Sequence, residues 1–160
     1  MSYTKDSTAS FRIPSSYRRT EVASSSATHT SWFTRPGRLG GFSMVEVWRS
    51  DSSRDPTPAL PLAGWLPKGD TAARGYDLAY VEDYAACREA IGGVAAHIET
   101  GFLSGGFGHY QHRRVVHAVW WTSWQGPLLD FSGYPADVEN QRELVAVVRS
   151  VRFHKLPSHR

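Results

Sequence analysis

The chain is poor in the features that would announce a function. It has a single cysteine among 160 residues, Cys87, so an internal disulfide framework is excluded and nothing marks an oxidising compartment. Its longest apolar stretches, PALPLAGWL and VVHAVWW, fall far short of the roughly 20 residues that cross a bilayer as a helix. The opening MSYTKDSTAS lacks a basic segment followed by an apolar one, so it does not read as a secretory signal. The expected location is cytoplasmic by default, peripheral contact with a membrane complex being allowed, or periplasmic if a leader has been removed. Charge of one sign is scarce as well, the net value being +3, with cations dispersed rather than gathered on one helix as nucleic-acid binders tend to have them.

Catalytic signatures are missing too. Gly101–Gly108 is glycine-rich, and Leu103-Ser104-Gly105-Gly106 echoes a nucleotide-transporter signature. Neither carries the Gly-Lys-Ser/Thr ending that places a cation on phosphate, so a loop is the sounder account. Cys87 and His97 lack the local signature of a thiol nucleophile. His97, His109, His112 and His117 fall close together, and His109-x-x-His112 has a metal-ligand spacing. No second cysteine or paired carboxylate completes a tetrahedral set. His97, His109 and His112 therefore stand as the metal candidates, while the expectation is no metal, no cofactor and no enzymatic activity.

What is present is an apolar fraction of 41% with six tryptophans, enough for one domain with a real core. Residues 1–10 read as a polar tail, 11–153 as one domain with a Pro-rich insertion at 49–75, and 154–160 as a basic tail. Residues 1–34 hold fifteen Ser or Thr. Within them Phe11–Pro14 reads as a brief edge strand closed by proline, and Glu21–Thr30 as loop. Ser31–Thr34 and Phe42–Trp48 read as strands, the second with Phe42, Met44, Glu46 and Trp48 on one face. The insertion contains four of the nine prolines and the apolar Leu60, Leu62, Trp65 and Leu66. Such a cluster folds back on the body or meets a partner.

From Tyr76 to Ile91, the spacing of Tyr80, Tyr84, Cys87 and Ile91 suggests a helical start and an extended end. The alternative is a strand leading through Gly92-Gly93 into a hairpin with Val94–Ile98. Val115–Trp121 is the strongest strand and pairs with Leu128–Ser132 across Gln125-Gly126-Pro127. Asp137 is placed to N-cap a helix with Val138, Leu144, Val145 and Val148 as its apolar stripe, and Ser150–Phe153 leaves it as a short strand. The expected class is α+β: an antiparallel sheet of about five or six strands, covered by the C-terminal helix and a second helix.

Val115–Trp121 is apolar on both faces, which calls for cover on both sides. Tryptophan in surplus and a strand of this kind point to docking. Trp121 and Trp124 are the expected anchors, with Trp65 and Trp48 next and Arg152 and Lys155 of the basic end as charged contacts.

The early FRIP segment, the IGG turn before an Ala-rich strand, the WW strand and the ending DVENQRELVAVVRSVRF together resemble the PsbP-like α/β/α sandwich group. The likeness covers residues 11–14 and 85–153 and is structural in kind. It implies a non-enzymatic, extrinsic accessory subunit docked on a larger assembly, photosynthetic and other membrane-embedded complexes included. Nucleic acid is not the expected partner. The alternative function is a small-ligand or metal-binding protein, or a minor hydrolase, with a cleft near His97, His109, His112 and Glu99.

Overall fold

The computed structural model describes residues 9–47, 80–104, 113–123 and 126–156. In chain order these form β1 (Ala9–Ser10), β2 (Arg18–Ser24), β3 (Thr28–Thr34), β4 (Gly41–Val47), β5 (Tyr80–Ile91), β6 (Val94–Ser104), β7 (Arg113–Thr122), β8 (Gly126–Gly133), α1 (Val138–Arg149) and β9 (Arg152–Phe153). Seven strands make one antiparallel sheet in the order β2-β3-β4-β8-β7-β6-β5, and β1 pairs separately with β9. The expected α+β sandwich of five or six strands under two helices is therefore overturned. The described chain is mainly β, with one twelve-residue helix.

The largest correction concerns Tyr80–Ile91, all of which is strand, continuous with β6 through the Gly92-Gly93 turn. Ala85-Ala86-Cys87 has no β-branched residue, and the tyrosines happen to recur at helical spacing, so local sequence leaned toward helix. Ten register pairs with β6 override it; propensity is a weak prior against a full ladder. The hairpin alternative for Gly92-Gly93 is the one realised, both glycines lying at positive φ (63° and 84°), as a two-residue turn of right-handed strands requires.

Two smaller corrections lie at the start. The span read as loop, Glu21–Thr30, contains most of the β2–β3 hairpin, turned at Ser25, whose amide donates to Thr28 O at 2.8 Å. All seven residues of β2 are exposed, so no buried face was there to leave an alternating pattern. Phe11–Pro14 is not strand. The ladder instead uses Ala9–Ser10 against Arg152–Phe153, while the Arg12 amide donates to Ser150 Oγ at 2.8 Å.

One face of the sheet carries the core. Phe33, Phe42, Met44, Ala96, Ile98, Val116, Ala118, Trp120, Leu129 and Phe131 are buried there with Leu144, Val147 and Val148 of α1. Phe42 stacks between Phe33 (centroids 4.7 Å) and Phe131 (5.0 Å). The helix starts as its sequence dictates: Asp137 is the N-cap, its Oδ1 accepting from Asn140 N at 2.7 Å. Its inward stripe is Asn140, Leu144, Val147 and Val148. Val138, expected inside, is 46% exposed. Asn140 takes the inner position because its amide has work there: Nδ2 donates to Tyr17 Oη at 2.7 Å, and Oδ1 accepts from Ala136 N at 3.0 Å. No helix among the described residues is long and apolar enough to cross a membrane.

Candidate functional site

The second face of the sheet is built differently, and the registers show how. Trp32, Ser43, Ser132, His117, Glu99 and Ala86 are successive cross-strand partners from β3 to β5. The next row runs Thr30, Val45, Asp130, Val119, His97 and Arg88. Side chains two apart in a strand share a face, so these two rows lie together opposite the aromatic core, a mixed polar and apolar face whose centre, at Glu99, His117 and Val119, is buried.

At its centre is a buried charge network. His117 Nδ1 lies 2.8 Å from Glu99 Oε2, and its Nε2 lies 3.1 Å from Asp130 Oδ2. Tyr84 Oη donates to the other Glu99 oxygen at 3.2 Å, and Ser132 Oγ donates to Asp130 Oδ1 at 3.4 Å. A neutral imidazole has one donor nitrogen, so bonds from both nitrogens to carboxylates require the imidazolium. Burial pulls the His117 pKa down, but the hydrogen bonds to Asp130 and Glu99 and their negative charges outweigh it and lift the value to about 9. Glu99 is fully buried, and Asp130 keeps a third of its side chain in solvent. Burial, with the nearby Glu99 charge, also raises the Tyr84 pKa.

This arrangement limits the chemistry. With both nitrogens engaged, His117 has no free lone pair to take a proton from a nucleophile, and Ser132 addresses Asp130 rather than the imidazole. Among the described residues no group of three or more His, Cys, Asp or Glu is disposed to hold a metal ion.

Beside the network the face opens at the β5 edge. Trp121 is half-buried. The His97 ring meets it edge-on at 4.4 Å, and the exposed Arg88 guanidinium lies over the indole at 4.8 Å. His97 Nε2 is buried without a hydrogen-bond partner. Burial foremost, then the Arg88 charge, lowers the His97 pKa, opposite to the shift of His117.

Of the residues singled out from sequence, the structure brings Trp121 and His97 together on this face. Trp48, Trp65, Trp124, His109 and His112 lie outside the described residues. Arg152 and Lys155 are exposed past the end of α1, Arg152 lying beside the tip of the β5–β6 hairpin. The doubly apolar reading of β7 holds for Val115 and Val119, but His117 makes the centre of that face ionic. Sequence reasoning missed the pairing of His117 with Glu99 and Asp130. The signal available was one polar residue at an inward position in each of three adjacent apolar strands, which becomes legible only once registers are known.

Comparison with known proteins finds no family model that matches the chain, no matching curated protein and no matching solved structure.

Proposed function

We propose that this chain is a non-catalytic binding module that docks on a larger protein assembly through the β5 edge of its sheet. The observation that carries the reading is the cluster of Trp121, Arg88 and His97 at that edge. A half-buried indole under an arginine is the chemistry of binding hot spots, where a large rigid surface is desolvated at small entropic cost. The ionic network beneath it holds β6, β7 and β8 in fixed register and so presents the cluster on a rigid support. Arg88 makes no hydrogen bond among the described residues, so its guanidinium can receive a partner's carboxylate.

The test is affinity recovery of the natively expressed protein in mild detergent, read by mass spectrometry. Stoichiometric recovery of one assembly, lost on Trp121→Ala while thermal unfolding is unchanged, supports docking. Equal recovery by the variant removes Trp121 from the interface.

A second reading, a small polar ligand on the same face, is favoured by the unpartnered His97 Nε2. Native mass spectrometry of gently purified protein distinguishes it. A retained small molecule that disappears in His97→Ala supports a ligand site, and a bare monomer opposes it.

A further inference from the structure

The tip of the β5–β6 hairpin and the exit of α1 enclose a second cleft of about 500 Å³, lined by Glu89, Gly92, Gly93, Arg149, Arg152 and Phe153 among others. We propose that this cleft binds a phosphate-class oxyanion, with Arg149 and Arg152 as its two cationic arms. Its lining shares no residue with the Trp121, Arg88 and His97 cluster, although Glu89 follows Arg88 in β5.

The argument rests on donors left over after the fold is satisfied. Each guanidinium has five N–H donors in a planar fork suited to oxyanions. Arg149 donates from Nε to Glu89 at 3.0 Å, and Arg152 donates from one terminal nitrogen to Val151 O at 2.8 Å and Arg149 O at 3.4 Å. Both terminal nitrogens of Arg149, and Nε with the second terminal nitrogen of Arg152, have no protein partner among the described residues. Both arginines are exposed.

The helix C-terminus disfavours an anion, so the two guanidinium charges must outweigh it; its last carbonyls are already hydrogen-bonded. Ser150 N donates to Ala146 O and Val147 O, Ser150 Oγ to Val147 O, and Val151 N to Val148 O. Arg152 covers the carbonyl of Arg149. At the hairpin tip Gly92 packs against the backbone of β9, since an added Cβ would meet Val151 O at 2.8 Å, while Gly93 stands in open space. Glu89 is the one acid lining the cleft, and it competes for Arg149. That competition gives the proposal a sign that a purely structural role for these arginines would not give.

The experiment is calorimetric titration of the whole chain with pyrophosphate and inorganic phosphate, repeated with Arg149→Gln/Arg152→Gln and with Glu89→Gln. Saturable binding is expected, weakened about tenfold or more in the double variant, since each hydrogen bond to a charged group contributes roughly 1.5–3 kcal/mol. Glu89→Gln is expected to bind tighter, because a competing carboxylate is removed. Circular dichroism confirms that each variant is folded. A parallel arm uses phosphatidylglycerol vesicles. Vesicle binding that needs the same arginines and is displaced by pyrophosphate assigns the oxyanion to a lipid headgroup; soluble anions binding alone assign it to a free phosphate. No saturable binding of either anion, or binding unchanged in the double variant and in Glu89→Gln, overturns the proposal.

Discussion

His117 and Glu99 are register partners on adjacent strands, and His117 Nδ1 sits 2.8 Å from Glu99 Oε2 with the carboxylate fully buried. An ion pair in this position stabilises little relative to apolar residues of equal volume, but removing one member leaves the other charged and desolvated. His117→Ala should therefore destabilise the chain by about 3–5 kcal/mol. Glu99→Gln should be milder, since the amide oxygen still accepts from the imidazole while its NH2 faces the Tyr84 hydroxyl, which can turn to accept. Urea unfolding of both variants measures the difference; equal and small losses would mean that the network is hydrated and carries little.

The same pair sets a pH dependence. The folded pKa of His117, about 9, lies above the unfolded value near 6.5. The folded state therefore binds the extra proton, and the stabilisation is fully present below about pH 6.5. It is lost as pH rises through about 9, with a total on the order of 3 kcal/mol. The urea midpoint should fall between those limits in the parent chain and stay flatter in His117→Gln. A parent midpoint constant from pH 6 to 9.5 would contradict it.

Much of this fold was legible because local chemistry and tertiary structure agree. Asp137 caps where an N-cap residue precedes an apolar stripe, Gly92-Gly93 turns where two glycines separate strand-like runs, and Phe42, Met44 and Glu46 alternate inward as read. What failed did so for identifiable reasons. β2 buries no side chain and so left no pattern, while β5 draws its strand state from pairing with β6 rather than from its alanines. At the site, Trp121 and His97 were singled out separately, but their contact depends on the register of β6 against β7. The ionic centre was illegible for the same reason, since Glu99, His117 and Asp130 are separated in sequence by 18 and 13 positions.

Asn140 offers a test of polar packing under the helix. Its side chain joins Tyr17, Ala136 and Glu143 by bonds of 2.7, 3.0 and 2.9 Å. Asn140→Ala should cost about 1–3 kcal/mol, by leaving the Tyr17 hydroxyl and the Ala136 amide unpaired. Tyr17→Phe should cost less, because Glu143 still accepts from the amide. Burial raises the Tyr17 pKa, the Asn140 bond opposing it, so in Asn140→Ala the phenol should titrate higher still. Ultraviolet titration follows that shift, and a phenol titrating lower in the variant would show that the ring has become exposed.

The Gly92 position tests whether the hairpin and the terminal strand are mechanically joined. Its φ is +63°, and a Cβ there would lie 2.8 Å from Val151 O and 3.2 Å from Arg152 Cα. Gly92→Ala thus combines a left-handed backbone conformation with a collision against β9, and backbone cannot yield as a flexible side chain does. Gly93→Ala carries the φ penalty alone, because its added Cβ meets open space. The conformational part is about 1 kcal/mol in both variants, so any excess loss in Gly92→Ala measures the contact with β9. Hydrogen exchange at Arg152 and Phe153 should then quicken in Gly92→Ala and stay at the parent rate in Gly93→Ala. If both variants lose the same stability and exchange alike, the hairpin tip and β9 are held independently, and the turn is glycine for its dihedral angles alone.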